Sequence, residues 1–203
     1  VAPMITSRQG ALLQGEYRQR LSNGAYSIRG TGIYQLDRNA FPNGAPGDRF
    51  WRGSIESSGQ FALTEKWVWG WDAIALSDKS YLQDYRPRLS QYSSGFDPAS
   101  IGSTGTSEAV SQIYLTGRGN RSFFDIRSIY YQGFSNLDVQ SQIPVIHPVL
   151  DYDYTVAHPV FGGELSFKTN FTSLTRDQAD FQQLSNTGSC AGAGAASNCF
   201  LLR

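Results

Sequence analysis

Charged residues are confined to every second position along most extended segments of this chain. In the segment 67–80, Trp67, Trp69 and Trp71 share one phase with Ala73 and Ala75, and Asp72 lies in the other phase. Because successive side chains of a β-strand point to opposite faces, such a segment predicts a strand with one apolar and one polar face. The alternation recurs between turn signals and predicts an all-β fold of about eight strands. We expect these strands at about 10–21, 25–37, 50–63, 67–80, 107–117, 121–134, 148–157 and 162–175.

The two phases of the predicted strands differ in composition. The uncharged phase is aromatic near strand ends and small in the middle, and 109–117 alone has no clear phase. An outer-membrane barrel has this arrangement, with aromatic girdles toward lipid and polar side chains toward the lumen. The other phase mixes both signs of charge and contains Glu16, Arg18, Arg20, Arg29, Arg52, Glu56, Asp72, Asp125, Arg127, Asp151, Asp153, Glu164 and Lys168.

The predicted connections alternate between short and long. The short ones are 22–24, 64–66, 117–120 and 158–161. The long ones are 37–49, 81–106, 135–147 and the residues after Thr175. In an up-and-down meander this order places every short turn at one end and every long loop at the other, as in outer-membrane barrels. Soluble sandwiches mix loop lengths at both ends.

Loop order and face composition together favour an antiparallel up-and-down meander that is part of an outer-membrane β-barrel. Trp51, Trp67, Trp69 and Trp71 would then lie at the membrane interface. Two alternatives stay open at this point. A soluble β-sandwich, such as a carbohydrate-binding module, would bury the same apolar face in its core. A generic porin or receptor barrel would share the membrane pattern.

The overall composition bounds the class of protein. Lys+Arg and Asp+Glu are both 17, so no basic excess points to nucleic acid. Mean hydropathy is −0.35, and no run approaches the roughly 18 apolar residues that a spanning helix needs. The first ten residues, VAPMITSRQG, carry no signal-peptide pattern. We interpret residues 1–203 as a single unit that is part of a longer protein.

Few residues suggest catalysis or metal binding. Asp151 and Asp153 could form a glycosidase acid pair, but no further acid, base or nucleophile lies near them in the sequence. His147 and His158 both precede proline, which favours strand ends over a metal site. Nucleotide-binding and nucleophile motifs are absent from the sequence. The sequence therefore predicts no enzyme, no cofactor and no metal.

The two cysteines, Cys190 and Cys199, flank a spacer rich in Gly, Ala and Ser. This spacer is flexible enough to close a small loop, and a disulfide there would contribute about 2.7 kcal/mol. A disulfide would also indicate an oxidising compartment, and free thiols are the alternative.

One long segment and four shorter upstream segments, called phrases below, indicate a specific protein family. The segment is DVQSQIPVIHPVLDYDYTVAHPVFGGELSFKTNFTSLTRD (138–177), and the phrases are RLSNGAYSIRGTGIYQ, PGDRFWRGSIESSGQFALTEKWVWGWD, LSDKSYLQDY and IYLTGRGNRSFFDIRSIYYQGFS. They resemble the barrel region of the LptD family, the lipopolysaccharide-assembly or organic solvent tolerance proteins of the Gram-negative outer membrane. Alphaproteobacterial members are the most similar. The resemblance covers nearly the whole chain, although none of its phrases is a catalytic signature.

The resemblance implies a very large barrel, of which residues 1–203 would be consecutive strands. In this family an N-terminal jelly-roll domain, which would lie outside this chain, receives lipopolysaccharide from an LptA-like periplasmic bridge. An LptE-like lipoprotein plugs the lumen, and the lipid leaves sideways into the outer leaflet. The family's disulfides tie the N-terminal domain to the far end of the barrel, so they do not transfer to Cys190 and Cys199.

The basic residues of the charged phase become candidates for contact with lipopolysaccharide phosphates, which arginine binds in bidentate fashion. The alternative is that they pair with neighbouring acids such as Glu16, Glu56, Asp125 and Glu164. The lumen-facing candidates are Arg18, Arg20, Arg29, Arg52, Arg127 and Lys168.

Overall fold

A single antiparallel sheet of nine strands forms most of the structure. The structure, a computed structural model, describes residues 1–87, 108–133, 138–179, 181–183 and 200–202. A short helix α1 (Tyr81–Tyr85) follows the fifth strand, and β10 (Phe181–Gln183) pairs with β11 (Phe200–Leu202) in a separate sheet. The strands of the main sheet are β1 (Ala2–Thr6), β2 (Gly10–Leu21), β3 (Gly24–Tyr34), β4 (Trp51–Ala62), β5 (Trp67–Leu76), β6 (Glu108–Arg118), β7 (Ser122–Gly133), β8 (Val145–Thr155) and β9 (Ser166–Thr175).

Every strand of the main sheet pairs with its neighbours along the chain, which confirms the predicted up-and-down meander. The sheet has one strand more than the sequence predicted, because β1 pairs with β2 at the edge. β1 is too short to show a clear alternation, and it contains Pro3. Proline is tolerated on an edge strand because its missing N–H is not needed by a second neighbour.

The connections separate by length at the two ends of the sheet, with one exception. The turns after β2, β4, β6 and β8 lie at one end, which we call the short-turn end. The connections after β3, β5 and β7 lie at the other, the long-loop end. The exception is the tight turn 7–9 between β1 and β2, which also lies at the long-loop end.

The turn between β8 and β9 lies later in the chain than the sequence indicated. Val160 and Gly163 exchange backbone hydrogen bonds of 2.8 and 3.0 Å around Phe161 and Gly162. Both central residues have positive φ, 49° and 83°, the pattern of a type I′ hairpin turn. The predicted turn at 158–161 was therefore wrong by about two residues, and β9 begins only at Ser166.

Three other strand boundaries differ from the prediction by three residues or more. β3 ends at Tyr34, three residues before its predicted end. β5 ends at Leu76 because Ser77 and Asp78 already turn toward α1. β8 begins three residues earlier than predicted and runs through Pro148. Its register shifts there against both β7 and β9, since proline has no N–H to donate to the ladder.

The register confirms the two predicted faces of the sheet. Trp71 lies opposite Gly59 on β4 and Ile113 on β6, so the uncharged phases of these strands share one side, the apolar face. β6 gains its phase from this pairing, which its own sequence did not show. Large side chains of the apolar face are open to the surroundings, as shown by Trp51 at 70% exposure and Phe171 at 55%.

The buried core of the protein lies on the polar face. The segment after β5 folds back over this face near the long-loop end, and its side chains pack against strand residues such as Leu12 and Ile33, which are paired on β2 and β3. The cluster consists of Leu12, Ile33, Ile74, Tyr81, Leu82, Tyr85 and Ala109. None of the helices in the described ranges is long and apolar enough to cross a membrane.

Candidate functional site

The polar face divides into an open half and a covered half. Toward the short-turn end it holds an open hollow of about 620 Å³. The strands β2 to β6 supply its walls, so it draws on five neighbouring strands of the meander. Its polar lining includes Glu16, Arg18, Arg20, Ser27, Ser58, Gln60, Asp72 and Tyr114.

Glu16, which lines this hollow, forms ion pairs with two of the arginines around it. Its carboxylate accepts hydrogen bonds from Arg18 on the same strand at 2.5 Å and from Arg29 on β3 at 3.0 Å. Arg29 lies directly opposite Glu16 in the register of the two strands. Two of the six predicted phosphate-binding cations are thus paired with an acid across or along strands.

Asp125 holds a third candidate cation. It is buried and accepts hydrogen bonds from Arg127 at 2.7 Å and from Thr116 of β6 at 2.8 Å. Glu164 pairs with Arg121 at 3.1 Å near the short-turn end, and not with a predicted candidate. Arg20 and Lys168 differ from the others, because neither forms an ion pair within the part of the chain that the structure describes.

Arg52 is buried, with 2% of its surface exposed, in the covered half of the polar face. Its guanidinium donates to both carboxylate oxygens of Asp78, at 2.8 and 2.7 Å, in a bidentate pair. The same group donates to Asp84 at 2.8 Å and to Ser80 at 2.9 Å. Gln35, the first residue after β3, accepts a further, longer bond of 3.4 Å. Each of the three guanidinium nitrogens therefore donates to another group of the protein.

Aromatic rings surround the same guanidinium. Its central carbon lies 5.2 Å from the ring centre of Phe41, 5.1 Å from that of Tyr85 and 5.8 Å from that of Tyr81. A cation held over ring faces away from water is stabilised by the ring quadrupole. Phe41 comes from the connection after β3 and the tyrosines from the connection after β5, so Arg52 joins both connections to the sheet.

Ionisation of the residues around Arg52 follows from burial and pairing. Burial raises the pKa of the Asp78 carboxyl, but hydrogen bonds from Arg52, Ser77 and Ser80 outweigh it and leave that pKa below its ordinary value. Burial raises the pKa of Tyr81 and of Tyr85. Asp78 is thus an anion, and both tyrosine hydroxyls are protonated, at neutral pH.

The sequence predicted Arg52 on the polar face but missed its partners. Asp78, Ser80 and Asp84 lie in LSDKSYLQDY, which was interpreted as the end of a strand and the start of a loop. The signal that could have revealed α1 is the spacing of Ser80 and Asp84, and of Tyr81 and Tyr85, four residues apart. That spacing puts each pair on one side of a single helical turn.

The apolar face carries aromatic residues near both of its ends. Toward the short-turn end Phe61 stacks on Trp69 and Trp71 with ring centres 5.5 and 5.8 Å apart. Toward the long-loop end Tyr34 contacts Trp51 at 5.0 Å. Between them the face is small or aliphatic, with Gly15, Gly30, Gly32, Gly53, Ile55, Ala73 and Ala75.

Two of the residues weighed for catalysis or metal binding, Asp151 and His147, have hydrogen-bond partners on neighbouring strands. Asp151 accepts a 2.6 Å bond from Asn170, and His147 is within 2.8 Å of the Thr175 hydroxyl. Asp153 lies opposite Lys168, and His158 is exposed in the connection after β8. No group of three or more His, Cys, Asp or Glu residues is arranged for a metal in the described residues. Cys190 and Cys199 lie outside them.

Comparison with known proteins gives direct evidence of the family to which the chain belongs. The family model described as "LptD: LPS transport system D" matches residues 51–187, which is more than half of the chain. The match runs from the first residue of β4 past the end of β9. A comparison with curated proteins gives no match.

Proposed function

The chain belongs to the LptD family of lipopolysaccharide (LPS) transport proteins, and from this premise we propose that it forms part of an outer-membrane barrel that translocates LPS and inserts it into the outer leaflet. The family is one of transport and not of enzymes. Residues 1–203 would supply consecutive strands of that barrel. Assignment to the alphaproteobacterial type stays a prediction.

The two-faced sheet is the observation that carries the proposal. Large apolar side chains are exposed on one face, where water would destabilise them and lipid would not. The opposite face is lined by charged and hydroxyl side chains around an open hollow. Such a surface can shelter the sugar and phosphate groups of LPS while its acyl chains move toward the membrane.

Arg20 and Lys168 are the best placed of the six candidate cations for LPS phosphates. Acids already hold the other four, namely Arg18, Arg29, Arg52 and Arg127. An ammonium or guanidinium without an acid partner can bind a phosphate without first breaking an ion pair. Contact between LPS and all six stays a prediction.

The proposed orientation follows from the loops. Short turns face the periplasm and long loops the exterior in outer-membrane barrels. The short-turn end of this sheet would then receive LPS, from an LptA-like bridge through the N-terminal domain of the family, and an LptE-like lipoprotein would occupy the lumen. Trp67, Trp69 and Trp71 would lie at the periplasmic interface and Trp51 at the outer one.

Photo-crosslinking in living cells tests the proposal. A photoreactive amino acid would replace Gln60, which lines the hollow, or its neighbour Phe61 on the apolar face. We expect LPS adducts at position 60 and phospholipid adducts at position 61, because adjacent strand residues face opposite sides. LPS at neither position in correctly inserted protein would contradict the proposal and favour a generic porin or receptor barrel. Protein that folds in water without detergent would support the soluble sandwich.

The same adduct measures the contribution of the cations. Arg20→Gln and Lys168→Gln together should lower the LPS adduct at position 60 several-fold, because two phosphate-binding charges are lost. Arg121→Gln is the matched control, since its charge is already paired with Glu164. An equal yield in the double variant and in the control would show that these two cations do not contact LPS.

A further inference from the structure

Residues 77–87 lie across the polar face at the long-loop end, and we call this segment the strap. Tyr81, Leu82 and Tyr85 of α1 are buried in the core on that face. Leu82 is only 1% exposed, whereas Gln83 beside it is exposed. One side of a single helical turn therefore packs the strap against the sheet.

The strap is held by charge as well as by apolar contact. Arg52 of β4 binds Asp78 at the start of the strap and Asp84 within α1. The Tyr81 hydroxyl is 2.6 Å from the Thr31 hydroxyl of β3, and the Tyr85 hydroxyl donates to Gln35 at 2.5 Å. A five-residue helix would not be stable alone in water, so these contacts determine where it lies.

Neighbouring connections are tied to the strap at the same end. Arg49, in the connection after β3, donates to the Ser77 carbonyl at 3.1 Å. Gln35 donates to the carbonyls of Gly47 and Arg49 in that connection and also accepts the Tyr85 bond. Lys79 of the strap donates to the Asp138 carbonyl in the connection after β7. All three long connections therefore meet over one end of the polar face.

We propose that the strap closes this part of the lumen at the long-loop end, and that Arg52 is the positioning residue that holds it closed. The inference rests on the proposed function, since it takes the polar face as the lumen wall. A polar head group that moves along this face from the hollow toward the long-loop end meets the strap. It can pass only beside the strap or after the strap has moved off the sheet. Arg52 acts through the strap and does not need to touch the lipid.

Thiol labelling measures whether Arg52 holds the strap. Leu82→Cys would be the reporter in the purified full-length protein in detergent, with Cys190 and Cys199 replaced by serine. With Arg52 present the buried thiol should react slowly with a polar maleimide. Arg52→Gln should raise the rate by about tenfold or more, because removing one partner of a buried ion pair leaves two carboxylates uncompensated. Asp84→Asn should raise it less, since Asp78 still holds Arg52.

Two controls separate strap opening from general unfolding. Gln83→Cys reports on the exposed side of α1 and should react fast in every background. Arg38→Gln removes an arginine that pairs with Asp48 at the same end without contacting the strap, and it should leave the Leu82→Cys rate unchanged. Trypsin cleavage at Lys79 and Arg86, which requires no added cysteine, should rise with Arg52→Gln in parallel with labelling.

Equal labelling of Leu82→Cys with and without Arg52→Gln would overturn the role of Arg52. Fast labelling with Arg52 present would overturn the closed strap. Both readouts are independent of LPS, so they can fail while crosslinking at position 60 succeeds, and the reverse. In cells, Arg52→Gln should increase sensitivity to a large polar antibiotic several-fold relative to Arg38→Gln. Faster labelling without that increase would show that the strap is not a barrier.

Discussion

At the residue scale, Asp78 links stability to pH through its pairing with Arg52. Its folded pKa lies below the ordinary value of 3.8. A carboxyl with a lowered folded pKa contributes stability that is complete above the unfolded pKa and is lost as pH falls through the folded one. The contribution of Asp78 is therefore constant near neutral pH and declines only below about pH 4.

Asp78→Asn tests this linkage. At neutral pH it should lower the free energy of unfolding by about 3 kcal/mol, because a buried arginine loses its bidentate partner. The difference from the unsubstituted protein should shrink as pH falls below about 4, since protonation then removes the same charge. Urea unfolding in detergent, followed by tryptophan fluorescence from pH 7 to pH 3, gives both values. A difference that grows on acidification would contradict the assigned pairing.

Phe161 is the second residue with a local consequence. It occupies the first central position of the β8–β9 turn with φ of 49°, a conformation that costs a non-glycine residue roughly 1–2 kcal/mol. Phe161→Asn should stabilise this hairpin by about 1 kcal/mol, because asparagine tolerates the left-handed region and suits a type I′ turn. Gly162→Ala should have the opposite effect. A lower urea midpoint for Phe161→Asn would show that the exposed ring has a stabilising contact with the membrane or detergent.

At the element scale, glycines on the apolar face make room for the tryptophans of β5. A Cβ added to Gly59 would lie 2.5 Å from the Trp71 ring, whereas one added to Gly15 would meet nothing within 4 Å. Gly59→Val should therefore destabilise the β4–β5 hairpin by about 1–3 kcal/mol through overpacking. Gly15→Val is the matched control on the same face and should be nearly neutral. Equal urea midpoints for both variants would contradict the packing of Trp71 over Gly59.

The elements could be predicted from the sequence where alternation was long enough to show. β2, β4 and β5 follow directly from their patterns, and the register confirms the faces that they predict. β6 has no phase of its own, and only its pairing with β5 and β7 gives it one. α1 could not be predicted with the same certainty, because a single turn held by tertiary contacts has almost no periodic signal.

Of the candidate site, only the strand residues could be predicted from the sequence, because only strands carry a local periodic signal. Period-two alternation is local and places Arg52 on the polar face. Its partners Asp78 and Asp84 come from a connection whose path depends on where it docks, and no local pattern gives that path. Of the two interpretations weighed for the cations, ion pairing holds for Arg18, Arg29 and Arg127 with the predicted acids.

At the scale of the whole molecule, the sheet reverses the arrangement of a soluble protein. Its exposed face is apolar, with aromatic residues near both ends and small residues between them. Its buried core and the ion pairs of its strand residues lie on the polar face. A water-soluble sandwich would need to cover the apolar face, whereas a membrane covers it without any further protein layer.

This arrangement predicts the depth of each tryptophan in a membrane. Trp51 begins β4 at the long-loop end, and Trp67 begins β5 at the short-turn end of the same face. In vesicles of brominated lipid, quenching of the full-length protein should drop when Trp51, Trp67, Trp69 or Trp71 is replaced singly by phenylalanine.

The position of the bromines distinguishes a girdle from a uniformly buried face. Because interfacial aromatics lie at headgroup level, bromine near the glycerol should quench Trp51 and Trp67 more strongly than bromine at the acyl-chain ends. Trp71, nearer the middle of β5, should respond more to deeper bromine than Trp67 does. Blue-shifted emission that no brominated lipid quenches would place the four rings in a dry protein core, and both the barrel and the LPS pathway along its polar face would then be wrong.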